Sequence, residues 1–211
     1  MSERFGVIGA GILGLAIARR LLELVPDATV TVLEKEPQVG FHQTGHNSGV
    51  VHAGLYYAPG SLKATLCRRG MTLLHEYCAE RGLPYDECGK LVVARDDREL
   101  ARLDGIEQRA TANAVPGLRR LSGGELREIE PHVAGVAALH SPRTAIADFA
   151  AITRAYAADV TAERGTLLLG QEVSAIEAHG SEEVAAGEGA CLLYTSPSPR
   201  DLSTSRMPSS A

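Results

Sequence analysis

The stretch that most constrains this chain is Phe5 to Glu34. A short apolar run, Phe5 to Ile8, predicts a buried parallel strand, and Gly9, Gly11 and Gly14 spell G-x-G-x-x-G at the turn out of it. An amphipathic run over Ile12 to Leu24 predicts a helix. A second strand, Thr29 to Leu33, follows and ends in Glu34. Gly9 permits the tight turn, Gly11 lets backbone approach a pyrophosphate, and Gly14 lets the helix close on the strand. The helix N-terminus offers free N–H groups and a partial positive charge to phosphates. Glu34, twenty residues after Gly14, can accept from a ribose diol. A lone glycine motif is weak, but here all five parts fall in order. An acid at position 34 argues against NADP, whose extra phosphate calls for arginine. NAD and FAD both remain open on this stretch alone.

Composition narrows the classes. The 211 residues suit one good-sized domain, or one domain and part of another, and the 45% apolar fraction can bury a core. A net charge of −5 with mixed signs gives no basic patch, which excludes nucleic acid as a partner. No apolar run reaches the length of a membrane span. The first strand starts at residue 5, leaving no room for a targeting peptide, so a cytoplasmic location is expected. Cys67, Cys78, Cys88 and Cys191 form no C-x-x-C pair and no histidine lies at ligand spacing from them. They read as buried free thiols in a reducing compartment, and no metal site is expected.

Along the chain, Lys35 to Gly60 is a long glycine-rich loop with little strand or helix pattern, too apolar for a solvated linker. Ser61 to Arg81 reads as a helix capped by Ser61 and stopped by Gly82, with Leu62, Leu66, Leu73 and Tyr77 as its apolar stripe. Gly89 to Ala94 is a strand and Asp96 to Ala114 a charged, mostly solvated helix. Ser122 and Glu125 match a capping box, Val136 to His140 a strand, and Asp148 the cap of a helix carrying Phe149, Ile152, Tyr156 and Val160. Thr166 to Leu169 and Glu172 to Ile176 read as short strands. The last 21 residues hold six serines and three prolines and are expected to be disordered. They resemble translated adapter sequence, which implies a reading frame cut within or just after Glu172 to Ala190.

Three segments carry a family resemblance: T-G-H-N-S-G-V-V-H-A-G-L-Y-Y-A-P-G-S-L-K-A (Thr44 to Ala64), P-Y-D-E-C-G-K-L-V-V-A (Pro84 to Ala94) and H-S-P-R-T-A-I-A-D-F (His140 to Phe149). Over about residues 4 to 178 the chain resembles the N-terminal half of the L-2-hydroxyglutarate dehydrogenases (oxidases), FAD enzymes of the D-amino acid oxidase superfamily. It departs from the usual T-G-I-V-D of that group at Ala145 and Ala147. The resemblance implies an α/β fold: a doubly wound Rossmann-type FAD-binding domain with an inserted, incomplete substrate domain. Residues 1–81 and 141–190 would belong to the FAD-binding domain, 82–140 to the substrate domain, and 191–211 to the tail.

The resemblance also implies FAD on Gly9, Gly11 and Gly14 with Glu34 on the adenosine ribose. Thr44 to Gly54 would run past the pyrophosphate and beside the flavin. Gly45, Gly49 and Gly54 would let backbone approach the ring. Thr44, Asn47 and Ser48 offer polar groups to phosphate or flavin edges, and roles in loop turns remain open for each. The implied reaction takes an L-2-hydroxy acid to a 2-oxo acid, with hydride passing to flavin N5 and a base taking the hydroxyl proton. His52 is the first candidate for that base and His46 a weaker one. A loop histidine with no proton role is the competing reading. Tyr56, Tyr57 and Lys63 are candidates for the substrate carboxylates. The electron acceptor, oxygen or quinone, is open, and quinone would bring peripheral contact with the inner membrane. Rival readings are a sister flavoenzyme acting on an amine (sarcosine, glycine or D-amino acid oxidase type) or on glycerol 3-phosphate, a non-catalytic dinucleotide-binding module, and an NAD-dependent enzyme. The 211-residue chain alone is expected to bind FAD poorly and to be inactive.

Overall fold

The structure is a computed structural model that describes residues 3–179, 182–187 and 190–194, with side chains to residue 176. Two compact units divide it. One comprises the chain up to His46 and from Ala150 onward, the other Asn47–Phe149.

In the first unit, β1 (Arg4–Ile8), α1 (Ile12–Leu24) and β2 (Thr29–Glu34) form the expected strand–helix–strand unit, with β1 and β2 parallel and Val7 opposite Val32. Leu15, Ala18 and Leu22 recur at helical spacing and are buried against Val7, Val30 and Val32. The glycine at the third motif position is imposed by this contact. A Cβ on Gly14 would lie 2.0 Å from the carbonyl oxygen of Gly9, so helix and turn touch through backbone alone.

The second unit contributes β3 (Val50–Val51), α2 (Leu62–Arg81), β4 (Tyr85–Asp86), β5 (Lys90–Ala94), α3 (Asp97–Ala112), β6 (Arg119–Ser122), α4 (Gly123–Ile129), β7 (Ala137–Ser141) and β8 (Ala145–Ala147). Local chemistry fixes the helix ends. Ser61 accepts from the Ala64 N–H, Asp96 from those of Arg98 and Glu99, and Ser122 with Glu125 closes a full capping box. Gly82 stops α2 in the left-handed conformation at φ 63°. Strand β7 lies between β5 and β6, both antiparallel to it. Alternation along this sheet sends Ala137 and Leu139 toward Leu103 of α3, and Ala138 toward Leu126 of α4. A second sheet has β8 in the middle, antiparallel to β3 and β4. The two departures from the family sequence fall here: Ala145 opposite Val51 and Ala147 opposite Tyr85, both buried.

The chain then returns to the first unit. In α5 (Phe149–Ala162), Ala157 and Val160 join the core beneath α1. Strand β9 (Gly165–Leu169) adds to β2 in parallel, giving the order β1-β2-β9. Strands β10 (Ala175–His179), β11 (Glu182–Gly187) and β12 (Ala190–Tyr194) form an antiparallel meander. The whole is a Rossmann-type α/β fold.

Several expectations are corrected. The stripe on α2 is not Leu62, Leu66 and Leu73, which are 75%, 58% and 51% exposed. The helix instead buries Ala64, Met71 and Cys78, seven residues apart, together with Tyr77. Helix α3 is mostly solvated, as its charge suggests, and buries Leu103 and Ala110. Two residues of the long loop pair as β3, which is too short to leave a periodic pattern. The strand expected at Glu172 starts later, at Ala175; ahead of it the Gln171 N–H donates to the Glu34 carbonyl at 2.8 Å. Cys191–Tyr194 of the expected tail is strand, consistent with its apolar, β-prone C-L-L-Y run. The rest of the tail, from Thr195, lies outside the described residues.

Gly14→Ala is expected to cost about 3 kcal/mol in urea unfolding, since backbone must separate to admit the methyl group. Gly70→Ala, in α2 with nothing within 4 Å of the added carbon, is expected instead to gain about 0.5 kcal/mol.

Candidate functional site

In the first unit the candidate residues converge on the turn between β1 and α1. The Glu34 carboxylate is buried and accepts the Ala10 N–H at 2.7 Å and the Glu36 N–H at 3.0 Å. It thereby ties the tip of β2 to the glycine turn. Each oxygen keeps a further lone pair, so a ribose hydroxyl can still be received. A cavity of about 340 Å³ opens beside it, lined by Gly9, Leu33, Glu34, His42, Gln171 and Val173 among others. This lies at the carboxyl ends of parallel strands, where open α/β sheets bind nucleotides.

Gly9 needs its glycine for conformation, at φ +98°. Gly11 has no such need. Its φ is −75°, and a Cβ would meet only Thr44 Oγ1 at 3.4 Å, an ordinary contact. The protein alone does not require glycine there, whereas a pyrophosphate laid against the turn would. The residues present therefore fit a dinucleotide. Thr44 Oγ1 accepts the Ile12 N–H at 3.2 Å and so supplies the side-chain cap that Gly11 cannot. His46 Nδ1 lies 2.9 Å from the His42 carbonyl, and His42 Nε2 lies 2.7 Å from Glu36. Both are exposed surface contacts.

The second unit holds the remaining candidates. Asn47 Oδ1 accepts the Gly49 N–H at 2.7 Å, a local turn, and Ser48 is exposed. Gly49 adopts φ +71° and its carbonyl accepts the Ala147 N–H at 2.9 Å, locking β3 onto β8. His52 leaves β3 directly, and the loop behind it is pinned at three carbonyls. The Cys67 thiol donates to the His52 carbonyl at 2.9 Å. The Asn113 amide donates to those of Gly54 and Tyr57 at 3.0 and 2.9 Å. Burial, and then the Lys90 ammonium, push the His52 imidazole below its ordinary value of 6.5. The ring is therefore neutral near pH 7, able to accept a proton. Tyr56 is exposed and carries the Lys90 ammonium over its ring, 4.9 Å from the centroid. Tyr57 is half-buried, and Lys63 lies exposed on α2.

Lys90, Asn113 and the Cys67 thiol escaped the sequence reading as site residues. Lys90 lay in plain view inside P-Y-D-E-C-G-K, quoted above for its family character. Asn113 ends a helix 56 residues beyond Tyr57, and nothing in its surroundings marks it. Arg68 Nη1, on α2, is a buried donor with no acceptor. Its stem passes about 4 Å from the position of a Cβ on Gly54.

The fold and this nucleotide cradle define a dinucleotide-binding oxidoreductase, and a family model described as FAD dependent oxidoreductase matches residues 4–193. The chain belongs to that family, whose cofactor is FAD. Among curated relatives, the mitochondrial L-2-hydroxyglutarate dehydrogenase of Nematostella vectensis is 44% identical over 192 residues, 88% of this chain and 42% of the relative. The L-2-hydroxyglutarate dehydrogenase of Escherichia coli (strain K12) is 41% identical, over 83% of this chain and 41% of its own length. The chain thus spans about two-fifths of the length of these relatives. Among solved structures, the FAD-bound L-alpha-glycerophosphate oxidase of Mycoplasma pneumoniae superposes with a TM-score of 0.82 at 24% identity, covering 90% of this chain and 50% of that one. This last likeness concerns the fold. Among the described residues no helix is long and apolar enough to cross a membrane.

Because His52 titrates lower when folded than when unfolded, its contribution to stability is intact above pH 6.5 and falls as the pH drops through that value toward the folded one. Lys90→Met removes one cause of the shift. The His52 imidazole is then expected to titrate closer to 6.5 in an NMR pH series. Asn113→Ala is expected to cost about 2 kcal/mol in unfolding, since two carbonyls lose their donor.

Proposed function

We propose that the chain is part of a flavoenzyme that oxidises L-2-hydroxyglutarate to 2-oxoglutarate. The carrying observation is His52, a neutral imidazole on a loop pinned at three carbonyls, in a chain 41–44% identical to proteins named for that substrate. The first unit would hold FAD. Gly9 and Gly11 expose the turn to the pyrophosphate, α1 directs its N-terminus at it, and Glu34 takes the ribose. When bound, FAD supplies the two-electron acceptor. His52 takes the substrate hydroxyl proton, which raises electron density at the carbon that must give up hydride. Tyr56 and Tyr57 contribute phenolic donors beside it. Thr44, Asn47 and Ser48 would serve chiefly by shaping their loop, since Thr44 and Asn47 each hold a backbone N–H.

The second unit, with residues 82–140 at its centre, would carry the substrate side. Amine and glycerol 3-phosphate oxidation are the alternatives a substrate panel must exclude. In the full-length, flavin-loaded enzyme of which this chain would be part, anaerobic L-2-hydroxyglutarate is expected to bleach the visible flavin absorption, whereas sarcosine, glycine and glycerol 3-phosphate leave it unchanged. His52→Gln is expected to lower kcat by about 10²-fold or more with FAD still bound. Bleaching by an amine, or an unaltered kcat in that variant, would refute the reading. Reoxidation by oxygen, set against reoxidation by a quinone in the presence of vesicles, identifies the electron acceptor and any peripheral membrane contact.

A further inference from the structure

Lys90 has a position that neither the family nor the sequence reading explains. It is the first residue of β5, opposite Ser141 of β7. The residue before it is fixed twice: the Gly89 N–H donates to the Thr144 carbonyl at 2.9 Å, and Gly89 adopts φ +76° with His140 Nε2 3.0 Å from where a Cβ would stand. Its side chain is half-buried and runs back across the loop after β3 to lie over Tyr56.

Three arginines of this unit are paired with acids. Arg95 has Glu99, Arg120 has Asp104 and Glu107, and Arg143 has Glu87. Lys90 has no carboxylate partner among the described residues, only an aromatic face. An exposed lysine in that state would be unremarkable, as Lys63 is. A half-buried one has lost part of its hydration without an anion to replace it. Its field also reaches the imidazole of His52. The ammonium of Lys90 thus lies over Tyr56, four residues along the pinned loop from His52, and both backbones are tied down.

We propose that Lys90 is a carboxylate anchor of the substrate, its ammonium held ready by the Tyr56 ring beside His52. The assignment rests on the proposed oxidation of a 2-hydroxy dicarboxylate and replaces Lys63 as the cation of that site. A dianionic substrate needs charge-assisted donors, and an ammonium is a suitable point charge for one carboxylate. The ring fixes the ammonium by cation–π attraction without neutralising it, which an acidic partner would do.

The test is made in the full-length, flavin-loaded enzyme with Lys90→Met, Lys90→Gln and Lys90→Arg. Affinity for 2-oxoglutarate is read from perturbation of the flavin spectrum, alongside kcat and KM for L-2-hydroxyglutarate. Met and Gln are expected to weaken 2-oxoglutarate binding and raise KM by about tenfold or more, with a smaller effect on kcat. Arg is expected to restore most of the affinity. Flavin content and melting temperature should stay near those of the parent. Unchanged affinity in the Met and Gln variants overturns the assignment while leaving the oxidation reading intact. If the parent protein is not reduced by L-2-hydroxyglutarate, the oxidation reading fails. Lys90 is then decided on 2-oxoglutarate binding alone, where loss in the Met and Gln variants supports it and no change overturns it.

Discussion

The peptide of Ala10 is the joint on which the nucleotide-binding unit depends. Its N–H donates to the Glu34 carboxylate at 2.7 Å, its carbonyl accepts the Gly40 N–H at 3.0 Å, and the residue is fully buried. The turn, the tip of β2 and the start of the long loop are thereby fastened at one point. Next to it, Gly9 donates to the Leu33 carbonyl at 2.7 Å, and Gly14 brings α1 into backbone contact. A helix N-terminus held this rigidly keeps its first-turn N–H groups aimed over a glycine turn, with the Ile12 N–H capped by Thr44 Oγ1. That combination is what a pyrophosphate site requires. Glu34 consequently has two duties. It closes the turn whether or not a ribose is present, and it offers the ribose its remaining lone pairs.

The same logic explains why part of the fold was legible. Phe5 to Glu34 is local: strand, turn, helix and strand follow each other, and each is specified by residues within a few positions. The caps on α2, α3 and α4 are local as well: Ser61 and Ser122 stand where sequence placed them, and Asp96, read as the first helical residue, is the N-cap. The three segments that carried the family resemblance become intelligible only in three dimensions. Thr44 to Ala64 supplies β3, Pro84 to Ala94 supplies β4 and β5, and His140 to Phe149 supplies β8. They contribute the three strands of one small sheet, ordered β3-β8-β4. None is long enough to show periodicity, so propensity missed them, while their wording as motifs was plain.

What stayed hidden was non-local. Helix α2 offers two stripes at helical spacing, and the leucine-rich one looked like the core face. The buried one is Ala64, Met71, Cys78. Asn113 earns its place by reaching two carbonyls across more than fifty residues of chain, and no one-dimensional pattern encodes that. Cys67 and Cys78 share a helix face, as their spacing of eleven required. Only the structure separates their roles, since one thiol is buried in packing and the other holds the His52 carbonyl.

The pairing of Lys90 with His52 has a consequence for when the base is strong. Without substrate, the ammonium disfavours imidazolium, and His52 is a weak base with its lone pair free. A carboxylate that settled on Lys90 would cancel much of that field at short range. The imidazole would then gain basicity in the complex and hold a proton taken from the hydroxyl more firmly. The cation that anchors the substrate would thus also gate the base. On this argument an acidic residue paired permanently with Lys90 would cancel that field before substrate arrived and leave burial alone to hold the imidazole down. The aromatic face of Tyr56 avoids that, positioning the ammonium while leaving its charge for the substrate to neutralise.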